Sequence, residues 1–316
     1  MNRCFDDHLT KGVMFPHRLF LALRQLHHCG LVPRGHSWLL HWLACLFWSH
    51  RMIKVDMPDG GTFTLDASDR GQASYFFHFG LPNEQIDFSI LRAAAREFSV
   101  IFDIGAHIGF YTRLFALSAP ASSVHAFEAS ENAFELLTLN LSGHPHAKLN
   151  RLAVAKMAGK RTFYLHPSSD LSSLLTRSGV PTTIDTTSLD DYCKKNSIPV
   201  VDFIKCDVEG AELEVILGAR ELLSSEYPPL WLVENPMSQH NQDFGYTERT
   251  IADTLKTFSS QPFHFFHVVQ KGENIFAEEC NPESISWKTV GANIWIVPER
   301  WNTTFFHTIE NANLSL

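Results

Sequence analysis

An α/β fold, built on a largely parallel sheet with helices on both faces, is what this sequence predicts. Three observations carry the prediction. From residue 99 onward, short β-rich runs alternate with helical stretches, and strands repeated in that way are joined by crossover helices into a parallel sheet. The first run, VIFDI (100–104), stops at a pair of glycines four positions apart, and a later run stops at the charged segment KCDVEG (205–210). Ligands of open parallel sheets collect at the carboxyl ends of the strands, so both stops fall where a site belongs.

The elements follow in chain order. Residues 15–29 set Phe15, Leu19, Leu23 and Leu26 at helical spacing, the stripe of an amphipathic helix. The apolar run WLLHWLACLFW (38–48) is shorter than the roughly 20 residues a helix needs to cross a bilayer. Packing against the next domain is its expected fate, with a peripheral membrane contact as the alternative. MIKVDM and TFTLD, on either side of PDGG, read as a β-hairpin, and NEQIDFSILRAAAREF (83–98) reads as a helix capped by Asn83. Strands are expected at 99–103, 122–128, 147–154, 161–165, 182–187, 200–207, 229–234 and 292–297. Helices are expected near 109–118, 131–141, 188–196, 211–224 and 247–258. The domain reading is a helical and hairpin extension over 1–95 that lids or flanks the pocket, a catalytic domain over 96–300, and a tail over 301–316.

Composition narrows the function classes. Hydrophobic residues make up 45% of the 316-residue chain and charged ones 19%, with a formal charge of −8; this is an ordinary globular profile. No Lys/Arg block or basic helix face stands out, and a negative net field repels phosphates, so nucleic acid is not an expected partner. The six cysteines form no CxxC pair and read as free thiols. The start MNRCFDDHLTKG has early acids and no apolar core, so a cytoplasmic setting is expected, and the sequons at Asn140, Asn302 and Asn313 are read as coincidental. Seven histidines precede residue 51 in no metal-ligand spacing.

The glycine turn is the first chemical signal. Asp103-Ile104-Gly105-Ala106-His107-Ile108-Gly109 lacks the G-x-G-x-x-G of a dinucleotide fingerprint and puts an acid where phosphates would be repelled. An acid there suits a cationic group, and S-adenosylmethionine carries both an ammonium and a sulfonium. The glycines allow a tight turn and a close approach to backbone N–H groups. The next strand ends at Glu128, nineteen residues past Gly109, where a carboxylate can accept both hydroxyls of a ribose. Each feature alone also fits a close-packed turn or a solvated acid; together, in order, they favour a nucleoside ligand.

The second signal is VVDFIKCDVEGAELEVIL (200–217). If 203–209 is extended, Lys205, Asp207 and Glu209 share one face and Ile204, Cys206 and Val208 the other. An ion-pair cluster that neutralises itself is the alternative; beside a nucleoside pocket these groups become candidate proton handlers.

FDIGAHIGFYT (102–112), HAFEAS (125–130), NRLAV (150–154), SLDDYC (188–193) and FIKCDVEGAELEVILGA (203–219) make the chain resemble the FkbM-type S-adenosylmethionine-dependent methyltransferases. GLPNE (80–84) resembles that family's entry segment loosely, which brings Glu84 into the cofactor set. The resemblance implies a Rossmann-like class I methyltransferase fold, a mostly parallel seven-stranded sheet with one reversed strand at the far edge. It also implies that Asp103, Gly105, Ala106, His107 and Gly109 hold the amino-acid end of the cofactor. Glu128 would bind ribose, and Ala129, with the segment around Asn150 to Ala153, would lie by the adenine. His107 stands where the family more often has a small polar residue, and Cys206 where it has an aliphatic one.

The expected activity is O-methylation of a hydroxyl on a sugar, glycolipid or polyketide-like small molecule, with Asp207 as the first choice of base, Glu209 as the second and Lys205 orienting them. Asp207, Glu209 and Glu234 offer hard oxygen ligands, but acids at strand ends are common without a metal and none is assigned. A nicotinamide oxidoreductase is the main rival, and a catalytically inactive adaptor at a membrane edge is the third reading.

Overall fold

A computed structural model describes residues 52–56, 61–72 except Ala67 and Arg70, 82–175, 179–234, 248–282 except Glu273, and 293–313. The helix expected over 15–29 and the tryptophan-rich run 38–48 lie outside the described residues. The chain divides into two units, residues 1–81 and 82–316. In the first unit, β1 (Met52–Asp56) and β2 (Thr62–Asp66) pair antiparallel from Met52 opposite Asp66 to Asp56 opposite Thr62, the hairpin that the alternation predicts.

The larger unit opens on α1 (Pro82–Ala94). Proline suits a first helical position, where its missing N–H would be unpaired in any case, so the helix starts one residue before Asn83. Then come β3 (Val100–Ile104), α2 (Phe110–Ser118), β4 (Ser123–Phe127), α3 (Glu131–Asn140), β5 (Ala147–Asn150) and β6 (Ala153–Val154). They are followed by β7 (Gly159–Leu165), β8 (Val180–Thr187), α4 (Leu189–Asn196), β9 (Phe203–Cys206), α5 (Glu212–Leu217), α6 (Arg220–Ser224) and β10 (Leu230–Glu234). The unit closes with α7 (Glu248–Phe258), β11 (Phe263–Lys271), β12 (Asn274–Glu279), β13 (Asn293–Pro298) and α8 (Asn302–Asn313).

Among the described residues eight strands make the main sheet, in the order β12-β11-β13-β10-β9-β3-β4-β5. The five from β10 to β5 run parallel, while β13 is antiparallel to both β10 and β11, and β12 to β11. The expected seven strands with one reversed therefore become eight with two reversed, and β13 lies inside the sheet. β11 and β12 were not foreseen, because FHFFHVVQK and NIFAEE break strict alternation. The run 147–154 splits into β5 and β6. β6 joins β7 and β8 in a separate three-stranded sheet, so 161–165 and 182–187 are not main-sheet strands.

Alternation along the parallel strands sorts two cores. Phe102, Ile104, Ile204 and Cys206 bury on the face covered by α4, α5, α6 and α7, with Trp231 and Val233. Ile101, Phe203, Leu230 and Leu232 bury on the opposite face, against α1, α2 and α8. Residues 302–313, expected as tail, are instead the helix α8, whose Phe305, Ile309 and Ala312 are buried with Ile90 and Leu91 of α1. Burying a Phe or Ile side chain contributes about 1.5–3 kcal/mol each, ample reason for the segment to fold back. The same packing assigns α1 to the larger unit, so the division falls at 81/82 rather than 95/96. The single helix expected over 211–224 breaks at Gly218, where a Cβ would lie 2.3 Å from the Ala155 carbonyl oxygen. Asp190 then accepts from Glu221 N–H and Leu222 N–H and caps α6.

Candidate active site

The parallel register of β3 and β9 places Asp103 opposite Lys205. Asp103 is fully buried. Its Oδ2 accepts from the Thr112 hydroxyl of α2 at 2.6 Å, while Oδ1 has no hydrogen-bond partner and lies 3.9 Å from Lys205 Nζ. Burial pushes the Asp103 carboxyl above its ordinary value, against the opposing pull of Lys205 and Thr112. For Lys205 burial pulls the other way, but Asp207 and Asp103 outweigh it and hold the ammonium above its usual pKa. Lys205 Nζ donates to Asp207 Oδ2 at 2.9 Å and lies 4.8 Å from the centroid of the Tyr111 ring, a cation–π contact.

Past β3 the chain closes tightly on its neighbours. Gly105 has φ +77°, and a Cβ there would lie 1.7 Å from the Asp207 carbonyl oxygen; only glycine lets the two strand ends approach so closely. Gly105 N–H and Ala106 N–H both donate to the Phe127 carbonyl. His107 adopts φ 50° without being glycine. Its N–H donates to Glu128 Oε2 at 2.9 Å, and its ring Nε2 lies 2.6 Å from Ser169 Oγ. At Gly109, φ +102°, a Cβ would meet Leu141, just past α3, at 2.7 Å and Leu137 of α3 at 2.8 Å.

Glu128 is buried at the end of β4. Its Oε1 accepts from Ser130 N–H at 2.7 Å, and its own N–H donates to the Asn150 carbonyl at 3.1 Å. Burial raises its pKa, opposed by His107 and by the amides it accepts from. Asp103 and Glu128 thus bracket one turn, since Glu128 holds an amide of the segment that Asp103 begins.

The Asn150 amide group donates to the Ala126 and Lys148 carbonyls, and its oxygen accepts from Tyr192. Tyr192 also meets His125 Nδ1 at 2.8 Å, and burial draws His125 down to about 4. Ala129 packs against a cluster that includes Ala153, Phe163 and Leu174. Glu84 falls in α1, but its side chain lies outside the described residues.

The second turn gathers the acids. β9 ends at Cys206, so Glu209 does not share a face with Lys205 and Asp207 by strand alternation, as the sequence suggests. It reaches the site through a turn, with φ 54° at Glu209 and 97° at Gly210. Carboxylate oxygens of Asp207, Glu209 and Glu234 lie within 4.8 Å of one another. Burial first, then the charges of Asp207, Glu209 and Glu212, holds Glu234 well above the carboxylate range. Oxygens at this spacing suit a hard cation and equally suit a shared proton, so no metal is assigned.

Glu212, fully buried, accepts from Val208 N–H and Gly210 N–H through Oε1. Sequence reasoning missed it, although an acid in the first turn of a helix, just past a glycine, is a capping signal. Ser169 and Ser173, which reach the two turns from the β7–β8 connection, gave no local signal.

Residues 103–253 match the family described as Methyltransferase FkbM domain. Over this stretch the chain is similar to the FkbM methyltransferases. Hexuronic acid methyltransferase AglP of Haloferax volcanii is 30% identical over 46% of this chain and 60% of its own length. 2-O-methyltransferase NoeI of Sinorhizobium fredii is 29% identical, covering 40% of this chain and 59% of its own. 31-O-demethyl-FK506 methyltransferase FkbM of Streptomyces tacrolimicus is 27% identical, with 40% and 61% covered. The chain spans about 60% of the length of these curated relatives. The O-methyltransferase TomG of Streptomyces achromogenes, a solved structure, gives a TM-score of 0.38 at 12% identity over 90% of this chain and 99% of that one, too weak a likeness to speak to function. The FkbM match takes in both turns, and none of these relatives lends support to the nicotinamide or adaptor readings.

Proposed function

We propose that this chain is an S-adenosylmethionine-dependent methyltransferase that methylates a hydroxyl of a sugar, glycolipid or polyketide-like small molecule. The observation that carries the reading is the bracketing of one glycine turn by two buried carboxylates, Asp103 and Glu128. The Oδ1 of Asp103 accepts no hydrogen bond and suits an ammonium donor. Glu128 accepts the His107 and Ser130 amides on its two oxygens, and a carboxylate's lone pairs leave room for a ribose hydroxyl. The names 2-O-methyltransferase and 31-O-demethyl-FK506 methyltransferase support an oxygen acceptor.

The bound cofactor supplies an electrophilic methyl group on a sulfonium. The chain's part begins with positioning, since holding acceptor and donor in line is worth about 7–11 kcal/mol of the barrier. Asp207 takes the acceptor's proton, a step typically worth about 10²–10⁴-fold. Lys205, held charged by Asp207 and Asp103, fixes the Asp207 carboxylate and offers positive charge to a developing alkoxide. Glu234, whose pKa burial and the neighbouring acids raise, resists adding its charge to the acid cluster. The acceptor is a small molecule; among the described residues no helix is long and apolar enough to cross a membrane.

Calorimetry with S-adenosylhomocysteine and with NADH tests the cofactor. The expected result is binding of the first alone. Binding of NADH and not of the homocysteine would return the oxidoreductase reading.

A further inference from the structure

The connection between β7 and β8 touches both turns of the site. Its 3₁₀ turn, Ser169–Leu171, presents Ser169 to the His107 ring. Four residues on, Ser173 donates its hydroxyl to the Glu209 carbonyl at 2.7 Å. Ser173 is 1% exposed, and its place is set by the backbone, which exchanges two hydrogen bonds with Tyr164 of β7. The same hydroxyl accepts from Leu175 N–H at 3.1 Å, which orients its proton toward Glu209.

Glu209 needs such a hold. A left-handed backbone is disfavoured for a residue with a side chain, and this one sits at φ 54° beside Gly210 at φ 97°. Glu212 ties down the turn's amides at Val208 and Gly210, and Ser173 ties down its carbonyl from the opposite side. A turn gripped at both polar ends keeps one conformation, and that conformation brings the Glu209 carboxylate within reach of Asp207 and Glu234.

We infer that Ser173 is a positioning residue for the methyl-transfer reaction, fixing the Glu209 turn so that its carboxylate stands in the acid cluster beside Asp207. The inference rests on the methyltransferase reading above. Removing the hydroxyl takes from the Glu209 carbonyl the bond that Ser173 supplies and loosens the turn, while the Gly105 to Gly109 segment and Glu128 keep their own bonds. Turnover then suffers and cofactor binding does not.

The test uses the full chain, methyl-labelled S-adenosylmethionine, and the small-molecule fraction of the host's extract as acceptor source, following label into product. Ser173→Ala is expected to lower transfer at saturating cofactor by on the order of 10²-fold, the size of effect that a small misplacement within a site produces, with affinity for S-adenosylhomocysteine unchanged. In a Glu209→Gln background the same change is expected to cost nothing further, because Ser173 acts through Glu209. Ser173→Thr keeps a hydroxyl and is expected to retain most of the rate, and Ser173→Cys, a weaker donor, to fall between. Equal transfer by wild type and Ser173→Ala overturns the inference and leaves the methyltransferase reading standing, as does an undiminished effect of Ser173→Ala when Glu209 is already Gln. If the alanine variant does not fold, equal rates for the Thr and Cys variants overturn it. No transfer by the wild type overturns the methyltransferase reading, and the role of Ser173 with it.

Discussion

The turn after β3 and the turn after β9 are built alike and loaded differently. Each holds a non-glycine residue at positive φ, His107 in one and Glu209 in the other. Each is secured by a buried glutamate, Glu128 accepting the His107 amide of the first and Glu212 the Val208 and Gly210 amides of the second. A serine of the β7–β8 connection reaches each, Ser169 to the His107 ring and Ser173 to the Glu209 carbonyl. The first turn gathers backbone with one acid at either end, an arrangement suited to holding a ligand. The second gathers Asp207 and Glu209, with Glu234 from β10, a crowd of like charges that costs stability and suits proton transfer. On the proposed reading recognition and chemistry would occupy neighbouring strand ends, which meet where Gly105 lies against Asp207.

That contact is where the comparison is most easily broken. Gly105→Ala puts a methyl group 1.7 Å from the Asp207 carbonyl oxygen at φ +77°. The expected cost exceeds about 4 kcal/mol, the range reached only by severe core or backbone conflicts. Chemical denaturation would register it, and a variant as stable as wild type would show that the two ends need not touch. Next in size is the division of labour. Asp207→Asn is expected to reduce label transfer by about 10²–10⁴-fold and to leave S-adenosylhomocysteine affinity, measured by calorimetry, close to wild type. Loss of binding without loss of turnover would reverse the roles assigned to the two turns.

The smallest effect concerns pH. Glu234 has a folded pKa raised well above 4.5, first by burial and then by Asp207, Glu209 and Glu212. The folded protein therefore holds this proton more tightly than the unfolded chain, so its contribution to stability declines as pH rises from about 4.5 toward the raised value. Glu234→Gln removes an ionisation that the fold resists. It is expected to raise the melting temperature at pH 8 and to leave it nearly unchanged at pH 4.5. An equal change at both values would mean that Glu234 is already ionised in the folded state.

Much of this is legible in the sequence. The apolar period of VIFDI, the glycine spacing after it and the acid at 128 were readable because each depends on residues close in sequence: strand alternation, a tight turn, a strand end. Lys205 and Asp207 were found in the same way. Glu209 does not follow from alternation, since it arrives through a left-handed turn after the strand has ended. α8 and the β11–β12 hairpin were missed because what makes them ordered is burial against partners far along the chain, Phe305 on the α1 side and Phe266 opposite Trp295 of β13.

The sequence by itself determined which groups stand at the ends of β3, β4 and β9, because side-chain order along a strand is fixed by covalent geometry. Only the tertiary structure decided that Ser169, Ser173, Glu212 and Glu234 converge on those ends. Their convergence depends on sheet register and on a connection that folds across from another sheet, and both are settled by long-range packing that no local pattern encodes.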